Sequence, residues 1–435
     1  MEITSLGHAG LRVSGAHTVG LIDPWFDRGG AFLGSWYQFP ANRHVLTPAL
    51  LTPDWVAVSS HADDRCDAAT LARVRAGTPV FVPAGNRRLT ARLGAATRLR
   101  VVEVPRSVPV KLDDAGSCLA FVTGEDGLPT TSSVVVSVDR VSLLVCAPTP
   151  PNGAHLHDIR STVGDRIDVV AVQVARPLRD PLCMAGSASV LRRRAAHLRA
   201  AALDDACAVV RTAQARVVIP YGGPPCFLDP ELAHLNQWIS PPGVLPDVEQ
   251  VADLLRAELP GQGVITLLPG DRCFPAEDLV IDDPRWRGFS FVRLRSYLHD
   301  YAHARAVELS RLHSQFPLPD TSLGAAFASH LARTVGEHPR VRDDLRFEVT
   351  GPGGGDWDVV VDDRGARVDL TGRASTATGR IRIASKWLAA AVEGRAAWSQ
   401  LLRSFRYSLA HTGDRHDDPL LDFLEHGDAV DAMTR

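Results

Sequence analysis

What most constrains this chain is the spacing of its apolar runs. From Ile3 to Pro220 they are short, rich in Val and bounded by turn-forming residues, as strands are. The run Ile3 to Val13 precedes a turn at Ser14 to His17, and the next run, Val19 to Ile22, ends in Asp23-Pro24-Trp25: a hairpin feeding a loop. Further runs fall at Trp55 to Val58, Val80 to Val82, Leu99 to Val104, Cys118 to Thr123, Ser133 to Val138, Ser142 to Cys146, Val169 to Val174 and Arg216 to Pro220. Helices are expected at Ala68 to Ala76 and, much longer, at Ser187 to Thr212. This order predicts an α/β fold in which two β layers carry helices on their outsides.

At 435 residues and 45% apolar content the chain can bury the core of two or three domains. Its character changes around Asp282 to Trp286, which divides it into residues 1–285 and 286–435. In the second part, helices are expected from Phe291 to His313, followed by the Pro-punctuated stretch SQFPLPDT. Beyond it, Leu345 to Val349 and Trp357 to Val361 flank GPGGGD as a hairpin, Arg380 to Ile383 reads as a strand, and Ser385 to Val392 and Trp398 to Ser408 as amphipathic helices. That is a smaller C-terminal α+β domain.

The formal net charge of -3 creates no field that would attract nucleic acid or an anionic membrane, so neither partner is indicated. No apolar run approaches the roughly 20 residues of a membrane span, and the N-terminal stretch lacks the pattern of an export signal. The seven cysteines are dispersed and never form a C-x-x-C pair, which fits a reducing, cytoplasmic setting. A phosphate-binding Gly-rich loop, a Gly-x-Ser-x-Gly elbow and a Cys-x-His pair of the kind that holds a Rieske cluster are all absent from these residues.

The stretch with most chemistry is Val58 to Asp67, VSSHADDRCD. His61, Asp63, Asp64 and Cys66 are all competent metal ligands, and with His155 and His157 they could assemble a mononuclear site. Alternatively His61, Asp63 and Asp67 are solvated or capping groups, with Asp67 as N-cap of the helix that follows. His8 and Asp23 are either ligand-contacting groups or a hydrogen-bonded His and a turn-forming Asp-Pro. In the loop Phe26 to Leu46, Trp36 and Tyr37 either border a pocket or pack in a core. Cys226, in the turn-rich stretch Gly222 to Asn236, reads as a buried structural thiol or a pocket residue.

LGHAG at Leu6 to Gly10, LIDPWF at Leu21 to Phe26, GAFLGSWYQFP at Gly30 to Pro40, DWVAVSSHADDRCD at Asp54 to Asp67, IDVVAVQ at Ile167 to Gln173 and GGPPCFLDPELAHLN at Gly222 to Asn236 together resemble the metallo-β-lactamase fold. The branch they resemble is that of CMP-N-acetylneuraminate hydroxylase and the ascorbate-phosphate-type lactonases. The resemblance implies a four-layer αββα sandwich over residues 1–285. It also implies a loop S-H-x-H-x-D-H-C-D whose three histidines and aspartate grip one or two metals. Laid on that frame without a gap, the histidine positions hold Ser60, Ala62 and Arg65, while Asp64 keeps the aspartate position. The acidic segment that the resemblance implies after Cys146 is replaced by Ala147-Pro148.

The expectation is therefore a degenerate member without the usual dinuclear site and with no cofactor, a pseudoenzyme that binds a small anionic or sugar-like ligand or partners an active homologue or a second copy of itself. Arg65 would supply positive charge in the metal's place, pairing with Asp64. The alternative is a biosynthetic enzyme that works without metal, or with a single iron, zinc or manganese ion on His61, Asp64, Cys66, His155 or His157.

Overall fold

The computed structural model describes the chain except residues 124–130, 152, 164–165, 240–242, 337–340, 373–376, 412–417 and 434–435, and except the side chains of 159, 161–163 and 427–433. The short Val-rich runs form two sheets. In the first, the order is Leu279–Ile281, Arg272–Phe274, Glu2–Gly7, Gly10–Ser14, Val19–Ile22, Trp55–Ala57, Pro79–Pro83 and Arg100–Val104. In the second it is Gly263–Val264, Val217–Pro220, Val169–Val172, Val141–Val145, Ser132–Val138, Cys118–Thr123 and Val110–Lys111. Each sheet is antiparallel at one side and parallel at the other, with the parallel parts begun by Val19–Ile22 beside Trp55–Ala57 and by Val141–Val145 beside Val169–Val172.

Alternation explains the layering, because successive side chains of a strand leave on opposite faces. Ile3, Leu11, Val13 and Ile22 of the first sheet meet Leu119, Val136, Leu143 and Val217 of the second in one buried core. The opposite face of the first sheet, with Leu21, Val56 and Val80, is covered by helices Ala68–Leu71 and Arg87–Ala96. The opposite face of the second, with Val135, Leu144, Val170 and Val218, is covered by Gly153–Val163, Ala188–Ala213 and Val248–Glu258. The result is the four-layer αββα sandwich.

Three local expectations are corrected. Ile3 to Val13 is two strands, because His8 adopts φ 46° and the chain reverses between Gly7 and Gly10. His8 therefore sits in a tight turn and not on a strand. The helix expected to Ala76 ends at Leu71, where the bonds Arg73 N to Thr70 O and Val74 N to Leu71 O tighten it into turns. The helix expected from Trp398 to Ser408 ends at Arg403, since Phe405 turns left-handed at φ 57° and Tyr407–His411 joins a sheet.

The C-terminal part builds a third sheet, ordered Gly365–Asp369, Gly355–Asp362, Asp343–Thr350, Gly379–Ala384 and Tyr407–His411, and the hairpin around GPGGGD is present. The helix Leu294–Ser314 leads into it. The two lobes share one apolar core in which Trp36, Tyr37, Cys226 and Phe227 pack with Trp387, Phe405 and Leu409. Leu409 also exchanges backbone bonds with Cys183 and Ala185, both 2.7 Å. Among the described residues no helix is long and apolar enough to cross a membrane.

Candidate functional site

The parallel pairing of Ile22 with Ala57 brings Asp23 and the loop after Ala57 to one edge of the first sheet. Asp23 is fixed there with φ 44°, its amide donating to the Ala57 carbonyl at 3.0 Å. Ser59 donates to its carboxylate from the amide at 2.7 Å and from the hydroxyl at 2.5 Å. Into the same place comes Arg65. Its Nη1 donates to Asp23 Oδ2 and Tyr221 Oη, both at 3.1 Å, and its Nη2 to Gln173 Oε1 at 3.0 Å. Gln173 and Tyr221 follow directly on the second-sheet strands Val169–Val172 and Val217–Pro220, so one guanidinium ties the two sheets together.

Asp23 is 0% and Arg65 3% exposed. Burial pushes the Asp23 carboxyl up, against the pull of Arg65 and Ser59. Burial alone would lower the Arg65 guanidinium, but Tyr221, Asp23 and Asp64 raise it, and it stays charged. Where the resemblance implies an acidic segment, the Cys146 carbonyl accepts the Tyr221 hydroxyl at 2.7 Å.

The direct partner of Arg65 is thus Asp23 and not Asp64. Asp64 turns the other way, and its Oδ2 meets His8 Nε2 at 3.1 Å. Burial would raise Asp64, but His8, then Arg65 and Arg403, hold its carboxyl below the usual value. The His8 ring stands edge-on to Trp25, with centroids 5.2 Å apart. Two buried atoms of this pair, His8 Nδ1 and Asp64 Oδ1, have no partner among the described residues. Asp67 caps the helix Ala68–Leu71 through Ala69 N and Thr70 N, and its second oxygen accepts Phe26 N and Asp27 N, both at 2.9 Å.

The other candidates scatter. Ser60 pairs with Thr131 in an isolated bridge that joins the loop to the second sheet. His61 faces a separate cavity of about 630 Å³, shared with Arg88, Arg92, Trp398 and Arg403. Burial, then Arg403, Arg88, His426 and Arg92, push it down to about 3. Cys66 is fully buried in the core under the first sheet, its thiol pushed up to about 12. His155 lies on the helix Gly153–Val163 against Arg106, and His157 on the same helix is exposed. Among the described residues His61, Asp64, Cys66, His155 and His157 supply no group of three ligand atoms within 4.8 Å of one another. Cys226 is buried beside the Gln38 carbonyl, paired by backbone with Tyr37, and burial raises its thiol. The Tyr37 hydroxyl donates to the Gly29 carbonyl at 3.2 Å.

Ser60, Ala62, Asp64, Arg65 and Gln173 border a cavity of about 570 Å³, which Trp36, Leu402, Arg403 and Phe405 also line. Part of its remaining wall comes from the stretch Arg176 to Asp180 and from the helix Pro419–Met433, whose Asp422 and Glu425 lie 3.0 and 3.1 Å from Arg179 Nη2. The cavity therefore lies between the lobes, over the loop that carries Asp64 and Arg65.

A second polar cluster had no local signal in the sequence. Asp229, Glu231 and His313 bring ligand atoms within 4.8 Å of one another. The carboxylates are also bound by cations of the C-terminal lobe: Arg406 at 2.7 Å from Asp229 and 3.0 Å from Glu231, and Lys386 at 2.6 Å from Glu231. His313 Nε2 meets Asp229 at 2.6 Å, and Trp387 Nε1 donates to Glu231 at 3.0 Å. These groups clamp the lobes together, and the stretch Gly222 to Asn236 contributes to the clamp more than to the cavity.

No protein-family model matches the chain. A Mycobacterium tuberculosis protein named "Putative Rieske 2Fe-2S iron-sulfur protein" is 30% identical over 282 residues, 62% of this chain and 53% of that protein. A protein of the same name from Mycolicibacterium smegmatis is 29% identical over 325 residues, 71% of this chain and 61% of that protein. The chain thus spans little more than half the length of these relatives. Among solved structures, CmlA, a diiron beta-hydroxylase from Streptomyces venezuelae, aligns over 65% of this chain and 54% of its own at 16% identity and a TM-score of 0.40. An isothiocyanate hydrolase from Delia radicum gut bacteria aligns over 63% and 99% at 12% identity and a TM-score of 0.42. Its own two mixed sheets, packed face to face between helices with the candidate loop at the end of Trp55–Ala57, give this chain the metallo-β-lactamase fold.

Proposed function

We propose that this chain binds a small molecule in the cavity between its lobes and does so without the dinuclear metal site whose loop frame it resembles. The observation that carries this reading is Arg65. A guanidinium has no lone pair to offer a metal, and this one is buried at the cavity floor with its Nη atoms on Asp23, Tyr221 and Gln173. Ser60 and Ala62 offer a weak donor and none. The residues present therefore do not fit the metal pair, and no step of chemistry is derived through one. A fixed cation in the cavity floor serves the same electrostatic end, drawing the Asp23 carboxyl down against the burial that raises it.

The deciding experiment is elemental analysis of protein purified without chelator, alongside a ligand screen by thermal shift. Less than a tenth of an equivalent of iron, zinc and manganese, with ligands that raise the melting temperature, supports the reading. A near-stoichiometric metal overturns it.

A second reading draws on the relatives' printed name. The chain would be an enzyme, or the partner of one, served by iron-sulfur electron transfer. Its own residues include no Cys-x-His pair, so the cluster would have to come from elsewhere. Stoichiometric iron, or a stable complex with an iron-sulfur protein on co-purification, would favour it.

A further inference from the structure

The second cavity, of about 630 Å³, opens where the loop residues His61, Ala62 and Asp63 meet the helices Arg87–Ala96 and Trp398–Arg403. Arg92 and Arg403 face it from the two lobes, their side chains 30% and 34% exposed. One carboxylate brings them together. Asp63 Oδ1 accepts Arg92 Nη1 at 2.6 Å, and its Oδ2 accepts Phe32 N and Gln400 Nε2, both at 3.0 Å. Gln400 precedes Arg403 by three residues, so the two share a face of their helix. The Arg403 guanidinium in turn stands 5.9 Å from the centre of the Phe32 ring.

Each guanidinium uses only part of its donors. Arg92 gives Nη1 to Asp63 and, at 2.8 Å, to the His61 carbonyl, which leaves the fork of Nε and Nη2 without a partner among the described residues. Arg403 gives Nε to Glu425 at 3.0 Å, which leaves the fork of Nη1 and Nη2. None of these four nitrogens is sealed from solvent. Asp63 cannot fill the forks, because both its oxygens are taken, and the oxygens of Glu425 are divided between Arg403 and Arg179. The carboxylates aim the two forks and leave them open. The charges that act most strongly on the neighbouring His61 ring, Arg403, Arg88, His426 and Arg92, are all basic groups. An anion fits that field, and its shape follows from the donors. A carboxylate has two oxygens and fills one fork, whereas the three terminal oxygens of a phosphate monoester can fill both. Trp398, Phe423 and Leu424 also line the cavity and offer surface to the carbon-bound part of such an ester.

We propose that this cavity binds a small phosphate monoester, its phosphoryl oxygens held by the open forks of Arg92 and Arg403 across the two lobes. The proposal goes beyond the ligand-binding reading above and does not depend on it, although Arg403 borders both cavities.

Isothermal titration calorimetry on the full chain at low ionic strength tests it with phenyl phosphate, benzoate and inorganic phosphate. Phenyl phosphate should bind at least about ten times more tightly than benzoate, the same ring on a two-oxygen head, and more tightly than inorganic phosphate. Arg403→Gln, and Arg92→Lys, which removes the fork and keeps the charge, should each weaken that binding about tenfold. Arg92 does not line the interlobe cavity, so its variant places the site. Should Arg92→Lys fail to fold, the NMR ring signals of His61, assigned by their loss in His61→Gln, must shift when phenyl phosphate is added to the wild type. Benzoate binding as tightly overturns the phosphoryl head, and inorganic phosphate binding as tightly overturns the ester. Binding that neither variant weakens, or that leaves His61 unmoved, overturns the site. No binding of any probe at millimolar concentration overturns the proposal and leaves the reading of the interlobe cavity to its own test.

Discussion

The guanidinium of Arg65 lies 3.1 Å from the carboxylate of Asp23, and both are buried where the two sheets meet. Removing one member of a buried pair leaves the other charge uncompensated, which costs about 3–5 kcal/mol, whereas removing both together is far milder. Arg65→Met should therefore lower stability by about that amount in urea denaturation. Adding Asp23→Asn to it should recover at least half of the loss. An Arg65→Met protein as stable as the wild type would show that the pair does not hold the sheets together.

The same loop permits a reconstruction. With Asp64 and the flanking Val58-Ser59 and Cys66-Asp67 in place, Ser60→His, Ala62→His and Arg65→His together restore the three imidazoles that the resemblance implies. The triple variant should retain about one equivalent of zinc through gel filtration, with the parent retaining much less. Because metal affinity depends on deprotonated ligands, the retained zinc should fall as pH drops below about 6. Equal zinc in both proteins would mean that these positions are not the frame of a metal site.

How much of this was legible in the residues depended on the range of the interactions. The Val-rich runs and the helix at Ala188–Ala213 carry their own periodicity, and Asp67 announces its cap because the acceptor and the amides it serves are neighbours in sequence. Arg65 does not announce its partner. Asp23, Gln173 and Tyr221 lie 42, 108 and 156 residues away, and only the packing of two sheets brings them together. Asp64, adjacent in sequence, turns instead to His8, 56 residues away. The turn at His8 was hidden for a different reason: Gly7-His8-Ala9 interrupts the apolar run without a strong turn signature, and the left-handed backbone of His8 is set by its surroundings.

The clamp between the lobes makes an equally direct demand. Arg406 is 1% exposed at its side chain, donates to Asp229, Glu231 and the Leu33 carbonyl, and stacks 4.1 Å from the Trp387 ring centroid. Arg406→Met should cost about 3–5 kcal/mol, since Asp229 would stay buried without its cation. The loss should fall on the docking of the lobes. Urea unfolding of the variant should separate into two transitions and proteolysis should cut sooner near Gln315 to Asp320, whereas a single shifted transition would place Arg406 in one lobe's folding alone.

His61 gives the chain a pH dependence with a definite sign. Burial and the surrounding arginines hold its folded-state value at about 3, against an ordinary 6.5. Below 6.5 the unfolded chain takes up a proton that the folded chain refuses, so stability contributed by the neutral imidazole is complete above that pH and declines as pH falls toward 3. Across that window one such group contributes a slope of up to about 1.4 kcal/mol per pH unit. His61→Gln removes the titration and keeps a polar side chain. Between pH 6 and pH 4 the variant should lose stability less steeply than the wild type, by about one proton in the linkage slope from urea midpoints. Parallel slopes for the two proteins would show that His61 is free to protonate in the fold.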